Sequence, residues 1–194
     1  SLRQPLEDGS VTISRVSTSL TYPAKFTLAC AMNPCPCGFY GDPHHECTCT
    51  PFQIQKYRAK LTGPLLDRID MHIEVPKLKY NDLIASNGGD TSDVIRTRVE
   101  RARTRQRKRF AKFESVYCNA HMESKLIKKC CAVEGESEKL LRDGVERLGL
   151  SARAYDRILK VSRTIADLEG SDIIEPVHIA EAIQYRSLDR NLLM

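Results

Sequence analysis

The chain has 194 residues, 41% of them hydrophobic and 28% charged, with a formal net charge of +5. That length allows one large domain or two small ones, each able to bury a core, and no apolar run in it approaches the roughly 20 residues that cross a bilayer. The charge is uneven: residues 1–90 hold 9 basic and 9 acidic side chains, residues 91–194 hold 21 and 16, so the basic excess lies in the second half. Eight cysteines, four of them in two tight C-x-C pairs, with no secretory signal pattern among these residues, point to a reducing, cytoplasmic compartment rather than a disulfide scaffold.

In chain order, Leu2-Arg3-Gln4-Pro5 reads as an element already under way at Ser1, the mark of a longer protein. Asp8-Gly9 then gives a turn, and Ser10 to Arg15 alternates with period two, the pattern of a hairpin. Phe26 to Met32 is a continuous apolar run, suited to a parallel strand buried on both faces. Gly38 to Pro51 is loop and Phe52 to Leu61 a short helix. Ile69 to Val75 alternates as another strand. Asn87-Gly88-Gly89-Asp90 supplies the best boundary.

Beyond it the pattern is helical throughout. Thr91 or Ser92 caps a helix to about Phe113; further helices are expected over Asn119–Lys129 and Ser137–Leu148. Ser151 caps one that stops at Gly170, and Pro176 opens the last. The fold class is therefore an α/β part over 1–80, a linker over 81–92 and an all-helical part over 93–194, mainly helical overall.

Cys35-Pro-Cys37 and Cys47-Thr-Cys49 lie nine residues apart in the loop spanning 33–50. Two such pairs on a returning loop can offer four thiolates to a structural zinc ion at about 2.3 Å, with no open position for catalysis. The one-residue spacing is tighter than usual, and His44 or His45 can replace a thiolate. Free thiols and disulfides remain the alternatives. Cys30 reads as a core residue, and Cys118, Cys130 and Cys131 show no pairing pattern.

Three separated polar residues stand out. Asn33 follows the apolar strand, where it can cap a turn or aim its amide from the carboxyl edge of a sheet. Arg68 lies between Leu66 and Ile69, and can pair with Asp67 or Asp70; Arg153 stands one turn into a capped helix. Each alone is weak; their order is informative. The segments LRQPLEDGSVTISR, FTLACAMNPCPCGFYGD, KLTGPLLDRIDMHIEVP and SARAYDRILKVSRTIADLEGSDIIEPVHIAEAIQYR resemble, in order, the Mg-chelatase-like AAA+ ATPases, and among them the competence-associated branch.

That resemblance implies a partial AAA+ core over 1–80 and an AAA+ lid over 93–194. It places Asn33 as sensor 1, which orients the attacking water, and Arg68 as the arginine finger offered to a neighbouring subunit's nucleotide. It places Arg153 as sensor 2, reaching the phosphates from the lid. It also implies ATP and Mg²⁺ as cofactors, a homo-oligomer (a hexamer at full length), DNA as partner, and a hairpin pointed at a central pore. The chemistry agrees, because phosphoryl transfer is catalysed mainly by positioning and charge neutralisation. No G-x-x-x-x-G-K-[ST] and no apolar strand ending in Asp-Glu occurs in the 194 residues. The chain then reads as the C-terminal part of an ATPase, inactive by itself.

Residues 96–112 carry nine Arg or Lys against Glu100. Arg101, Arg105, Lys108, Arg109 and Lys112 are candidates for phosphate-backbone contact. The alternative is a solvated face pairing with acids such as Glu134, Glu136 and Glu138. Three functions follow: an ATP-driven DNA remodeller, a zinc-stabilised non-enzymatic nucleic-acid module, or a motor acting on a chelatase-like protein or tetrapyrrole complex.

Overall fold

A computed structural model describes residues 2–60, 63–66, 68–75 and 89–186 of the chain. The described residues are mainly helical with one small two-stranded sheet, and the chain divides after Ile69 into two units.

The first unit begins with α1 (Arg3–Asp8), closed by Gly9 in the left-handed region at φ 61°, whose N–H donates to Pro5 O. Antiparallel strands β1 (Ser10–Arg15) and β2 (Thr18–Pro23) follow, in register Ser10↔Pro23 to Arg15↔Thr18. Side-chain hydroxyls pair across them, Thr12 with Thr21 at 3.0 Å and Ser14 with Ser19 at 3.1 Å. The expected hairpin is present, but Asp8-Gly9 is not its turn. Glycine serves a left-handed helix end as well as a tight reversal, and here the reversal falls at Val16-Ser17.

Two expected strands are not seen among the described residues. Residues 26–32 and 69–75 have no ladder partner among the described residues, and Phe26, Met32, Ile73 and Val75 are exposed. A strand exists only where a neighbour takes its N–H and C=O groups, and the described residues hold one ladder, β1–β2. An apolar run specifies burial, not the partner that provides it. Helices α2 (Pro51–Arg58) and α3 (Gly63–Leu66) complete the unit. The expected linker over 81–92 lies outside the described residues as far as residue 88.

The second unit follows its local signals closely. Thr91 caps α4 (Ser92–Phe110), its hydroxyl accepting from Val94 N. A 3₁₀ turn at Asn119–His121 and α5 (Ser124–Cys130) replace the single expected helix. Then come α6 (Gly135–Leu148), α7 (Ala152–Glu169), capped by the Ser151 hydroxyl and ended by Gly170 at φ 90°, and α8 (Pro176–Gln184). Helix α7 packs against α4, α5 and α8, and α6 against α8.

Phe110, Met122, Ile127, Leu141, Ile158, Leu159, Ile174 and Ile179 form the core. Burying each such side chain contributes roughly 1.5–3 kcal/mol, and here they converge on one cluster. Gly144 permits the close approach of α6 and α8: a Cβ there would stand 2.6 Å from Ile183 Cδ1. The stripe of α4 is buried at Ala102, Gln106 and Phe110, whereas Ser92 to Glu100 are exposed on every side. None of the described helices is long and apolar enough to cross a membrane.

Candidate functional site

The four cysteines converge in the first unit. Cys35 Sγ lies 3.3 Å from Cys37 Sγ and 3.7 Å from Cys47 Sγ, and Cys37 Sγ lies 3.5 Å from Cys47 Sγ. All four sulfurs fall within 4.8 Å of one another. A disulfide holds its sulfurs at about 2.05 Å, so none of these contacts is a bond. Four sulfurs about 2.3 Å from a central ion form a tetrahedron with edges of about 3.8 Å. The three separations among Cys35, Cys37 and Cys47 are slightly shorter than that edge, and all six lie within about an ångström of it or less. The donor set fits a closed metal centre.

The backbone explains why this sequence makes such a cluster. Gly38 and Gly41 turn the loop at φ 84° and 83°, values that disfavour any side chain. Gly38 N donates to Cys35 O, and Cys37 N to Cys49 Sγ at 3.4 Å, tying the pairs together. The second pair ends at the start of α2. There Thr50 Oγ1 accepts from Gln53 N at 3.3 Å and Gln53 Oε1 accepts from Thr50 N at 2.9 Å, a reciprocal cap that fixes where Cys49 stands. His44 and His45 are exposed and outside the cluster; His45 stacks on Phe39 and faces Asp42.

Without a cation the thiols cannot all ionise at this spacing, and they divide. The Phe39 N–H lowers the Cys37 pKa to about 5, outweighing burial. Burial opposes the Cys35 thiolate, but N–H groups of Tyr40 and Gly38 and the Cys47 thiol bring it below the ordinary thiol value. The Cys49 N–H favours the Cys47 thiolate, yet burial and hydrogen bonds to Cys37 and Cys35 push Cys47 up to about 12. Burial, and then the same neighbours, raise Cys49. A divalent cation removes this conflict by compensating all four charges.

The remaining site residues are placed as follows. Asn33 is exposed in the first unit, its amide beside Gly38. Arg68, in the same unit, is largely buried and donates from Nε to Glu7 Oε2 at 3.1 Å; Asp67, one of the two partners expected for it, lies outside the described residues. Arg153 is in the second unit, exposed on the first turn of α7.

The basic helix splits by role. Arg101, Lys108 and Lys112 are exposed. Arg105 donates to Asp172 at 2.6 Å and to Gly170 O. Arg109 forms a forked pair with Asp167 and donates to Asn119 Oδ1 at 3.0 Å. The acids that the helix meets are thus Asp167 and Asp172, with Asp93 and Glu100 on its own turns and Asp90 just before it, rather than Glu134, Glu136 and Glu138.

Sequence reasoning missed the buried network around Asp167. The carboxylate is fully buried, accepts from Asn119 Nδ2 at 2.9 Å and forms an ion pair with Arg163, whose Nη2 lies 3.2 Å away. Burial disfavours its ionised form, but hydrogen bonds from Arg109 and Asn119 and the charges of Arg109 and Arg163 outweigh that and hold its pKa low. Arg163 donates onward to Ser171 O and Asp172 O, satisfying carbonyls just beyond α7. The available signal was an Arg and an Asp four residues apart on the apolar face of α7, where an unpaired charge is excluded.

Compared with known proteins, residues 1–83 match the family of magnesium chelatase, subunit ChlI, and residues 89–186 match its C-terminal family. The chain belongs to the magnesium chelatase ChlI family. Among curated relatives it is 42% identical to the uncharacterized protein YifB of Escherichia coli, over 99% of this chain and 37% of that protein. It is 44% identical to competence protein ComM of Haemophilus influenzae, over 98% of this chain and 36% of the relative. The uncharacterized protein Rv2897c of Mycobacterium tuberculosis is 35% identical over 95% of this chain and 36% of its own length. The chain thus spans little more than a third of these ChlI-family relatives. The two family matches meet between residues 83 and 89, within the expected linker.

Proposed function

We propose that this chain is the C-terminal part of an ATP-driven AAA+ ring motor that remodels DNA. Residues 1–80 contribute the far half of the α/β core, 81–92 the linker and 93–194 the lid. The observation that carries the reading is the succession of the two ChlI family matches, ending on the helical unit. Asn33 orients the attacking water, Arg68 neutralises charge on the γ-phosphate of a neighbouring subunit, and Arg153 reaches the phosphates from the lid. ATP and Mg²⁺ are held elsewhere in the whole protein, because these 194 residues contain no phosphate-cradling loop. The whole protein works as a homo-oligomer, a hexamer, in the cytoplasm.

Cys35, Cys37, Cys47 and Cys49 hold a structural zinc ion that fixes the loop directly after Asn33 and before α2. When bound, the ion supplies charge compensation and no catalysis. In this conformation Arg68 pairs with Glu7, so serving a neighbour's nucleotide means exchanging a carboxylate for a phosphate, two partners suited to the same guanidinium fork.

A relative named a competence protein supports DNA as the substrate, and the exposed cations Arg101, Lys108 and Lys112 offer sequence-independent phosphate contact. The same cations favour a second reading, a zinc-stabilised nucleic-acid module without catalysis. A motor acting on a chelatase-like complex is the third, supported by the family name alone. ATP hydrolysis by the whole protein, with and without DNA, separates them. Stimulation by DNA is expected, the 194-residue chain by itself is expected to turn over no ATP, and loss of stimulation is expected in Asn33→Ala and Arg153→Ala. DNA binding without any ATPase in the whole protein selects the non-enzymatic reading, and ATPase with neither DNA binding nor stimulation by DNA selects the third.

A further inference from the structure

We infer that the cysteine loop and α2 form a stacking platform for single-stranded nucleic acid, separate from the basic helix. This rests on the nucleic-acid reading above and deepens it by assigning a strand type and a second contact site.

Each cysteine pair is followed within three residues by exposed aromatic side chains. Phe39 and Tyr40 follow Cys37, and Phe52 follows Cys49. Tyr40 is 46% and Phe52 70% exposed, although aromatic side chains ordinarily bury most of their large apolar surface. Because the four sulfurs lie within 4.8 Å, both aromatic segments leave a single anchor. The anchor restrains the backbone that carries the rings, which lowers the entropy lost when a base stacks on them.

Charge is arranged to match. Between Cys47 and Lys60 there is no acidic residue, while Lys56, Arg58 and Lys60 lie on or just after α2. None of the α2 side chains is buried, so the helix does not serve a core among the described residues. The Arg58 guanidinium sits 4.7 Å over the Tyr40 ring, and its buried Nε has no hydrogen-bond partner among the described residues. A second stacked pair joins Phe39 and His45 at 5.0 Å between ring centres. Rings beside cations, with no acids in the second segment, suit bases and phosphates together; an apolar protein partner does not call for the cations. Base stacking contributes strongly per ring and tolerates any sequence, but it needs bases out of a duplex.

The test uses the purified protein and a fluorescent oligothymidylate of about 20 nucleotides, longer than one such site needs, with a duplex of equal length beside it. Variants are Tyr40→Ala/Phe52→Ala, and separately Arg101→Glu/Lys108→Glu on the basic helix. Bound zinc is measured in each, so that a variant with a lost metal is replaced by Tyr40→Leu/Phe52→Leu. The expected result is at least tenfold weaker binding of the single strand by the ring variant, with duplex binding within twofold of the parent. Equal loss on both probes, or no loss, overturns the platform; if the basic-helix variant then loses binding, the nucleic-acid reading stands without it. Absence of binding by the parent protein overturns both. A changed oligomeric state in the ring variant with unchanged single-strand affinity overturns the platform and assigns the rings to a protein contact.

Discussion

The two units are held together by different means. The second buries an apolar cluster contributed by α4 to α8, with a charged network at Asp167 inside it. The first has few buried side chains, Cys35 and Leu66 among them, and its extended segments leave Phe26 and Met32 exposed. Among its described residues, what converges is a set of thiols rather than an apolar cluster. The contrast teaches that local helical signals can specify a unit by themselves, whereas a short irregular loop needs a metal to reach the same definition.

The largest expected effect therefore lies in the first unit. Removing metal with a chelator, or changing Cys37→Ser, is expected to disorder residues 33–50 while the second unit keeps its helices. Structural zinc contributes about 10 kcal/mol or more in small metal-folded modules. Amide exchange resolved along the chain would show it; uniform protection across both units after chelation would remove the distinction. Zinc occupancy should also fall as pH falls. Cys47 and Cys49 hold their protons well above neutral pH in the absence of metal, so binding releases them, and acid competes. Elemental analysis after dialysis at pH 7.5 and 5.5 would test this.

Next in size is the buried network. Asp167→Ala leaves Arg109 and Arg163 without the carboxylate they share, and breaking a buried pair in this way costs about 3–5 kcal/mol. Thermal unfolding of the second unit reads it directly. Because the folded pKa of Asp167 is lowered, its contribution is complete above the unfolded value near 3.9 and is lost as pH falls further through the folded value. The parent should therefore lose stability below about pH 4, and Asp167→Asn should lose less over that range. Gly144→Leu should cost roughly 1–3 kcal/mol, because its side chain must displace Ile183 between α6 and α8. The smallest effect belongs to the surface: each of Arg101, Lys108 and Lys112 changed to Ala is expected to lower the salt slope of DNA binding by about 1 without altering unfolding.

The helices after residue 90 were legible because their starts and stops are local: Thr91, Ser151 and Pro176 open them, and Gly170 closes the one that Ser151 opens. The cysteine cluster was legible for a similar reason, its pairs being close in sequence. Asp167 was not. Its partner Arg109 looks like one of nine similar cations, and only folding brings it to a carboxylate 58 residues away. Phe26 to Met32 failed in the opposite sense, since its apolar character was plain but its pairing depends on other strands. Asn33, Arg68 and Arg153 acquire a shared meaning only through the family.

The most direct test of that meaning is the steady-state ATPase of the whole protein carrying Arg68→Ala, measured alongside nucleotide binding. An arginine finger predicts a fall in turnover of about 10³-fold or more with nucleotide still bound, and partial recovery when these subunits are mixed with subunits that keep Arg68 but cannot bind nucleotide. Turnover equal to the parent would contradict the account and reduce Arg68 to the partner of Glu7.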